Sequence, residues 1–287
     1  MRVTIAHVKG SKLWNEDAVV ANSPLGIYGV VDGATSIGTP PGWEGMTGGY
    51  LAAQLIAETF NSMIVPSGAS VGLPEQMLLA NQRLHAEMIQ QGVDVTRSEN
   101  LWGACAVVVR LTATHVEFAQ VGDTLLVTLH KNGTAKLVTP DQVAAVSNRT
   151  LQEYAEGMAS GLRTQAELWA YVKPQMIKNR QLANKPQGYG VINGNIELRG
   201  FIASGKFSLD GVQALFLMSD GLYVPRRHGD KPCEATDILL RVKEVGLPAY
   251  IEWLSVLEES DPECRRYPRL KRSDDKTAVL IELETTV

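Results

Sequence analysis

Apolar and polar positions alternate at a period of two over residues 3–8, the mark of a strand with one covered face. Residues 18–22 form a short β-branched stretch, and the apolar run at 26–31 reads as a buried strand. A loop rich in Gly, Pro and Thr over 35–42 then gives way to a helical repeat at 47–60. A second helix, predicted over 74–91, opens on Pro74 and stops near Gly92. The middle of the chain is β-rich. Apolar runs occupy 102–111 and 115–121, and 124–130 faces 134–138 across Asn132-Gly133, a strong hairpin signal. Residues 141–200 turn polar and helical and end in a Gly/Asn-rich stretch, which reads as an insertion or subdomain over the surface. Strands resume at 196–203 and 213–218, helices follow at 235–245 and 248–259, and a strand closes the chain at 277–284. Strands joined by tight turns and helices that come in pairs predict antiparallel sheets with helices stacked outside them. One α+β sandwich domain is the expected architecture.

Composition narrows the function classes. Among 287 residues, 27 Lys and Arg face 31 Asp and Glu, a formal net charge of −4, which argues against nucleic-acid binding through overall charge. No apolar run approaches the roughly 18 residues of a membrane span, and the opening segment lacks the apolar stretch of a signal peptide. Cys105, Cys233 and Cys264 are odd in number, far apart and in no C-x-x-C pair, so neither a disulfide framework nor a zinc site is expected. A cytoplasmic protein, without nucleic-acid or membrane partners, is the resulting expectation.

The informative feature is where the aspartates stand. Asp32, Asp123 and Asp220 end apolar strands, Asp17 opens one, and Asp274 lies just before another. A single such Asp is ordinarily a turn former. Five at strand ends invite a different reading, because ionised carboxylates at the rim of a buried sheet need partners. If these ends converge, an all-oxygen cluster results whose repulsion calls for bound cations. Hard oxygen donors suit Mg²⁺ or Mn²⁺, and a shared carboxylate can hold two such ions about 3.5–4 Å apart for displacement at phosphorus. Gly33, lacking a side chain, lets its carbonyl approach an ion.

These residues carry a family resemblance. Asn15-Glu16-Asp17, Val31-Asp32-Gly33, Val121-Gly122-Asp123-Thr124, Met218-Ser219-Asp220-Gly221 and Ser273-Asp274-Asp275-Lys276-Thr277 resemble, in order, the motifs of the protein phosphatase 2C family. The resemblance covers residues 3–140 and 196–284, with the segment between them matching loosely. It implies a four-layer α-β-β-α sandwich of two mainly antiparallel sheets flanked by helix pairs. Residues 1–287 would form a single phosphatase domain, with 141–200 as a variable flap-like insertion. It also implies a dinuclear Mn²⁺ or Mg²⁺ centre and hydrolysis of phosphoserine or phosphothreonine in proteins by direct attack of a water bound there. Carried over by position, Asp32 resembles the bridging ligand and Gly33 the carbonyl ligand of one ion. Asp220 and Asp274 resemble ligands of the other, Glu16 and Asp17 support the cluster, and Asp123 resembles a residue of a third, looser metal. The implied partner is a phosphoprotein, with a Ser/Thr kinase opposing the enzyme.

Four positions depart from the family pattern. Lys12 stands where many members carry a phosphate-binding Arg, and a Lys offers one mobile charge where Arg offers a planar fork. Ala34 replaces a His proposed as general acid, Val224 an Asp of the third metal, and Asp275 a frequent Asn; Asp274 fits the register of the metal ligand better than Asp275. Arg226, Arg227, Arg265, Arg266, Arg269, Lys271 and Arg272 gather beside the last two aspartates, as a solvated loop or as an electropositive rim for phosphate. Two other readings compete with catalysis at the acids: a non-catalytic binding module, and a Ser hydrolase using Ser70 in Gly68-Ala69-Ser70-Val71-Gly72. The near P-loop from Gly200 to Phe207 puts Phe207 where a metal-ligating Ser or Thr would stand, and no helix is predicted after it. The five histidines, His7, His85, His115, His130 and His228, show no ligand spacing.

Overall fold

The computed structural model describes residues 1–38, 45–64, 71–227 and 229–283; Ser70, His228 and part of the 35–42 loop lie outside them. The strands are β1 (Arg2–Val8), β2 (Asp17–Asn22), β3 (Ile27–Gly33), β4 (Ala104–Leu111), β5 (His115–Val121), β6 (Leu125–His130), β7 (Ala135–Leu137), β8 (Ala203–Ser208), β9 (Val212–Met218) and β10 (Lys276–Glu282). The helices are α1 (Gly48–Asn61), α2 (Leu73–Gln90), α3 (Ala144–Ala159), α4 (Gln165–Arg180), α5 (Ala235–Val245) and α6 (Leu247–Glu259). One sheet runs β1-β10-β9-β6-β7 and the other β2-β3-β4-β5-β8, with antiparallel pairing throughout.

Side-chain alternation assembles four layers from these elements. Tyr28 and Val30 of β3 and Val107 and Val109 of β4 point between the sheets, where they meet Leu215 and Leu217 of β9 and Val279 and Ile281 of β10. Ile27 and Val31 of β3 and Val108 of β4 point the other way, onto Ile56 and Phe60 of α1 and Leu84 of α2. Across the molecule, Phe216 of β9 and Leu280 of β10 pack on Leu239 of α5 and Leu254 of α6. Central strands covered on both faces read as unbroken apolar runs, which is why β3, β4 and β9 stood out in the sequence without alternating. The order is therefore helix pair, sheet, sheet, helix pair, the four-layer α-β-β-α sandwich expected. Thr47 caps α1, its hydroxyl accepting from the Tyr50 amide at 3.1 Å.

One expected strand is corrected. Residues 196–203 do not open a strand; Ile196–Phe201 is a 3₁₀ turn. The Asn195 side chain accepts from the Glu197 amide at 2.8 Å and caps that turn, while Asn81 of α2 donates to the Asn195 carbonyl at 2.9 Å. The strand that follows, β8, is a largely exposed edge with little apolar signal. It contains Gly205, Lys206 and Phe207, so the near P-loop is sheet edge and no phosphate cradle.

α6 and β10 are tied by a buried ion pair. Lys276, 1% exposed, donates to Glu258 at 2.7 Å, Ser273 Oγ at 2.9 Å and the Asp274 carbonyl at 3.0 Å. Removing one partner of such a pair strands a charge. Lys276→Met is expected to cost about 3–5 kcal/mol in denaturant unfolding. The double variant Lys276→Met/Glu258→Leu should be less destabilised than Lys276→Met alone.

Candidate functional site

Antiparallel pairing puts alternate strand ends on one rim, and the acids occupy those ends. Asp17 at the start of β2 lies opposite Asp32 near the end of β3, which lies opposite Cys105 of β4. Asp123 sits in the turn between β5 and β6, the link that carries the chain from one sheet to the other. Asp220 follows β9 across Ser219, and Asp274 precedes β10. Asp32, Gly33, Asp123, Asp220 and Asp274 thus line one cleft of about 430 Å³. Val143, Val146 and Leu151, from the start of the 141–200 segment and α3, line it together with Met176 and Arg180 of α4.

Hydrogen bonds set the orientation of Asp17, Asp274 and Asp275. Asp17 is buried behind the cleft and accepts from Ser219 Oγ at 2.8 Å. Asp275 accepts from the Gly10 amide at 2.7 Å and the Glu16 amide at 2.8 Å, so both its oxygens face backbone. Asp274 turns the other way, lines the cleft and accepts from Lys271 at 2.6 Å. Gly33 donates to the Glu16 carbonyl at 2.9 Å. A Cβ on Gly33 would collide with the carbonyl oxygens of Gly49 and Glu16, so close backbone packing by itself requires this glycine. Lys12 is not part of the cleft lining. Its ammonium pairs with Glu16 and lies 3.1 Å from Thr35 Oγ1.

Crowding acids together away from bulk water opposes their ionisation. Burial pushes Asp17 up to about 8, with repulsion from Asp274 and Asp275 adding to it. Asp123 is raised to about 7, first by burial and then by Asp220 and Asp141. Asp32 is held well above the usual carboxylate range by burial and by repulsion from Asp17, Asp220, Asp123 and Asp274. Asp220 moves the same way, although its outer face is open to the cleft, because protein surrounds the rest of it and Asp274 repels it. Asp274 alone is lowered; burial opposes its ionisation, but the Lys271 ammonium more than offsets that.

The donor set fits a hard divalent cation. Every cleft-lining acid offers oxygen, and the one thiol in the lining, Cys105, is kept protonated by burial and by Asp123 and Asp32. Behind the cleft, Glu16 Oε1 is buried without a hydrogen-bond partner, the kind of orphaned acceptor that a cation or its water would satisfy. Among the described residues, no three His, Cys, Asp or Glu side chains already close around a common point.

The sandwich and the rim of aspartates define a phosphatase-type fold, and the comparisons agree. The chain belongs to the protein phosphatase 2C family, whose model matches residues 7–261, and this makes it an enzyme of the phosphatase class. No curated protein matches it by sequence. Its fold is similar to that of the Mycobacterium tuberculosis serine/threonine phosphatase PstP/Ppp, with 15% identity, 99% of each chain covered and a TM-score of 0.57. The serine/threonine phosphatase Stp1 from Staphylococcus aureus is similar at 17% identity, covering 99% of this chain and 95% of that one, TM-score 0.58. So is the catalytic domain of PstP in complex with two manganese ions, at 14% identity over 98% of this chain and 97% of that one, TM-score 0.56.

Two cleft residues escaped the sequence reading. Lys271 was grouped with a basic loop, whereas its ammonium points among the acids. Arg180, at the end of α4, donates to the Thr35 carbonyl at 2.8 Å and so bridges the 141–200 segment to the strand end that carries Asp32. No local pattern marks either one, since each reaches the cleft through a contact with a distant part of the chain or a loop turn.

The raised acids predict a pH dependence. Asp17 ordinarily titrates at 3.8 and titrates near 8 when folded, so the unfolded chain releases its proton first. Stability of the metal-stripped protein should therefore fall as pH rises between those values. Asp17→Asn keeps an acceptor for Ser219 and removes the charge. It should raise the melting temperature of chelator-treated protein most at pH 8.5 and by much less at pH 5, where only the beginning of that fall has occurred.

Proposed function

We propose that this chain is a metal-dependent phosphoprotein phosphatase that hydrolyses phosphoserine and phosphothreonine. The observation that carries the reading is the convergence of Asp32, Asp123, Asp220 and Asp274 on one cleft in a chain of the phosphatase 2C family. Asp32 would bridge two Mn²⁺ or Mg²⁺ ions, with the Gly33 carbonyl, Asp220 and Asp274 completing their protein ligands and Glu16 and Asp17 supporting them from behind. Asp123 would belong to a third, looser site. When bound, such ions supply an activated water and neutralise phosphoryl oxygens as charge develops.

The chain's own residues do the rest. Arg180 and Arg226 line the cleft and meet the incoming dianion, and Lys12 stands beside Glu16 at the edge as a further phosphate partner. The apolar wall of Val146, Leu151 and Met176 restricts water on one side. With Ala34 where a His stands in some relatives, solvent protonates the leaving alcohol. The helix hairpin of α3 and α4 forms one wall of the cleft, which supports a role for the 141–200 segment in selecting protein substrates. Among the described residues no helix is long and apolar enough to cross a membrane.

Turnover of an aryl phosphate and of a phosphothreonine peptide should require Mn²⁺ or Mg²⁺ and stop in chelator. Full activity in chelator would instead fit a Ser hydrolase using Ser70, and metal binding without turnover would fit a binding module. Asp32→Asn should remain folded and lose at least ~100-fold in kcat, above what the loss of an outer metal partner costs. Trimming the α3–α4 hairpin should reduce peptide turnover more than aryl phosphate turnover.

A further inference from the structure

The cleft contains a cation of its own. Lys271 donates to Asp274 Oδ1 at 2.6 Å, and the same oxygen accepts the Asp275 amide at 2.9 Å. The ammonium also feels the charges of Asp220 and Asp32, the other acids at the centre of the cleft. Its side chain is only 20% exposed, so it is no solvated surface lysine.

The loop that carries Lys271 is built to hold it there. Arg269 donates to the carbonyls of Arg272 (3.0 Å), Tyr267 (2.8 Å), Glu258 (2.9 Å) and Asp261 (2.7 Å), and to Asp261 Oδ2 at 2.9 Å. Those five contacts match the five donors of a guanidinium. Asp261 in turn accepts the amides of Arg265, Arg266 and Tyr267. On the far side of Lys271, Ser273 Oγ donates to Glu258 at 2.8 Å, and Lys276 clamps both Glu258 and the Asp274 carbonyl. Lys271 is thus fixed from both sides of the sequence and aimed at the carboxylates.

We propose that Lys271 is an internal counter-cation of the carboxylate centre that competes with divalent ions for Asp274. The inference rests on the dinuclear reading above and adds to it a residue that sets metal affinity. An ammonium among three carboxylates offsets their mutual repulsion, and the same positive charge repels an arriving divalent ion. Lys271 therefore steadies the rim when ions are away and keeps their binding weak and readily reversed. The charge produces both effects, so they must change together.

Mn²⁺ titration by calorimetry of metal-stripped wild type, Lys271→Met and Lys271→Arg, with melting curves in chelator, tests this. Lys271→Met is expected to bind Mn²⁺ at least ~10-fold more tightly, as removing a like charge within a few ångströms in a partly enclosed site should do. The same variant should melt lower than wild type in chelator and regain that difference with Mn²⁺. Lys271→Arg, which keeps the charge, should stay near wild type in both measurements. Should Lys271→Met fail to fold in chelator, Lys271→Gln folded with excess Mn²⁺ gives the same comparison through the rise of melting temperature with Mn²⁺ concentration. Unchanged or weaker Mn²⁺ binding by a folded, uncharged variant would overturn the competition. Absence of Mn²⁺ uptake by wild type would instead overturn the dinuclear reading itself.

Discussion

Mutual repulsion among carboxylates gathered at one rim of the sandwich is the constraint around which the rest of the site is arranged. Asp17, Asp32, Asp123, Asp220 and Asp274 come from five strand ends, and none can be ionised there without raising the cost for the others. A protein tolerates such a gathering when cations or protons relieve it. The features around the rim answer that need: Lys271 on Asp274, Lys12 on Glu16, Ser219 on Asp17, and a set of carboxylate oxygens suited to divalent ions.

Rigidity is supplied elsewhere so that the rim can bear this strain. The inter-sheet core of Val30, Val107, Leu217 and Val279 locks the registers that bring Asp17 opposite Asp32 and Ala278 opposite Met218. The Glu258–Lys276 pair and the Arg269–Asp261 clamp hold the loop before β10, which has no strand pairing of its own. Asp275 fastens the turn after β1 by taking the amides of Gly10 and Glu16. The site is therefore an edge of a well-packed body, and its acids are positioned by elements whose packing lies away from them.

Two features beside the cleft lie at the margins of the sandwich. The 141–200 segment forms a helix hairpin whose inner face is apolar and whose last residue, Arg180, reaches across to Thr35. Position 271 brings a lysine into the acids. Both lie outside the paired strands, where a different side chain would not disturb the core registers.

Much of this was legible in the sequence. Apolar runs ending in Asp-Gly or Gly-Asp identified β3, β5 and β9, Asn132-Gly133 set the β6–β7 hairpin, and helix pairs without intervening strands pointed to antiparallel sheets under helices. The five acids were recognisable because each is tied to its own strand by sequence adjacency. The β8 edge strand was missed because exposure leaves an edge with little apolar pattern, and Asn195 caps a turn where the pattern suggested a strand. Register favoured Asp274 over Asp275, but only the tertiary structure shows why they face opposite ways, since the Gly10 and Glu16 amides that take Asp275 lie far off in sequence. Only it could show Lys12 bound to Glu16 and Lys271 turned inward, because the direction of a flexible side chain is set by which charges the fold brings within reach. Local residue pattern determined the strands and the identity of the acids; long-range packing decided which of their oxygens face the cleft and which cations answer them.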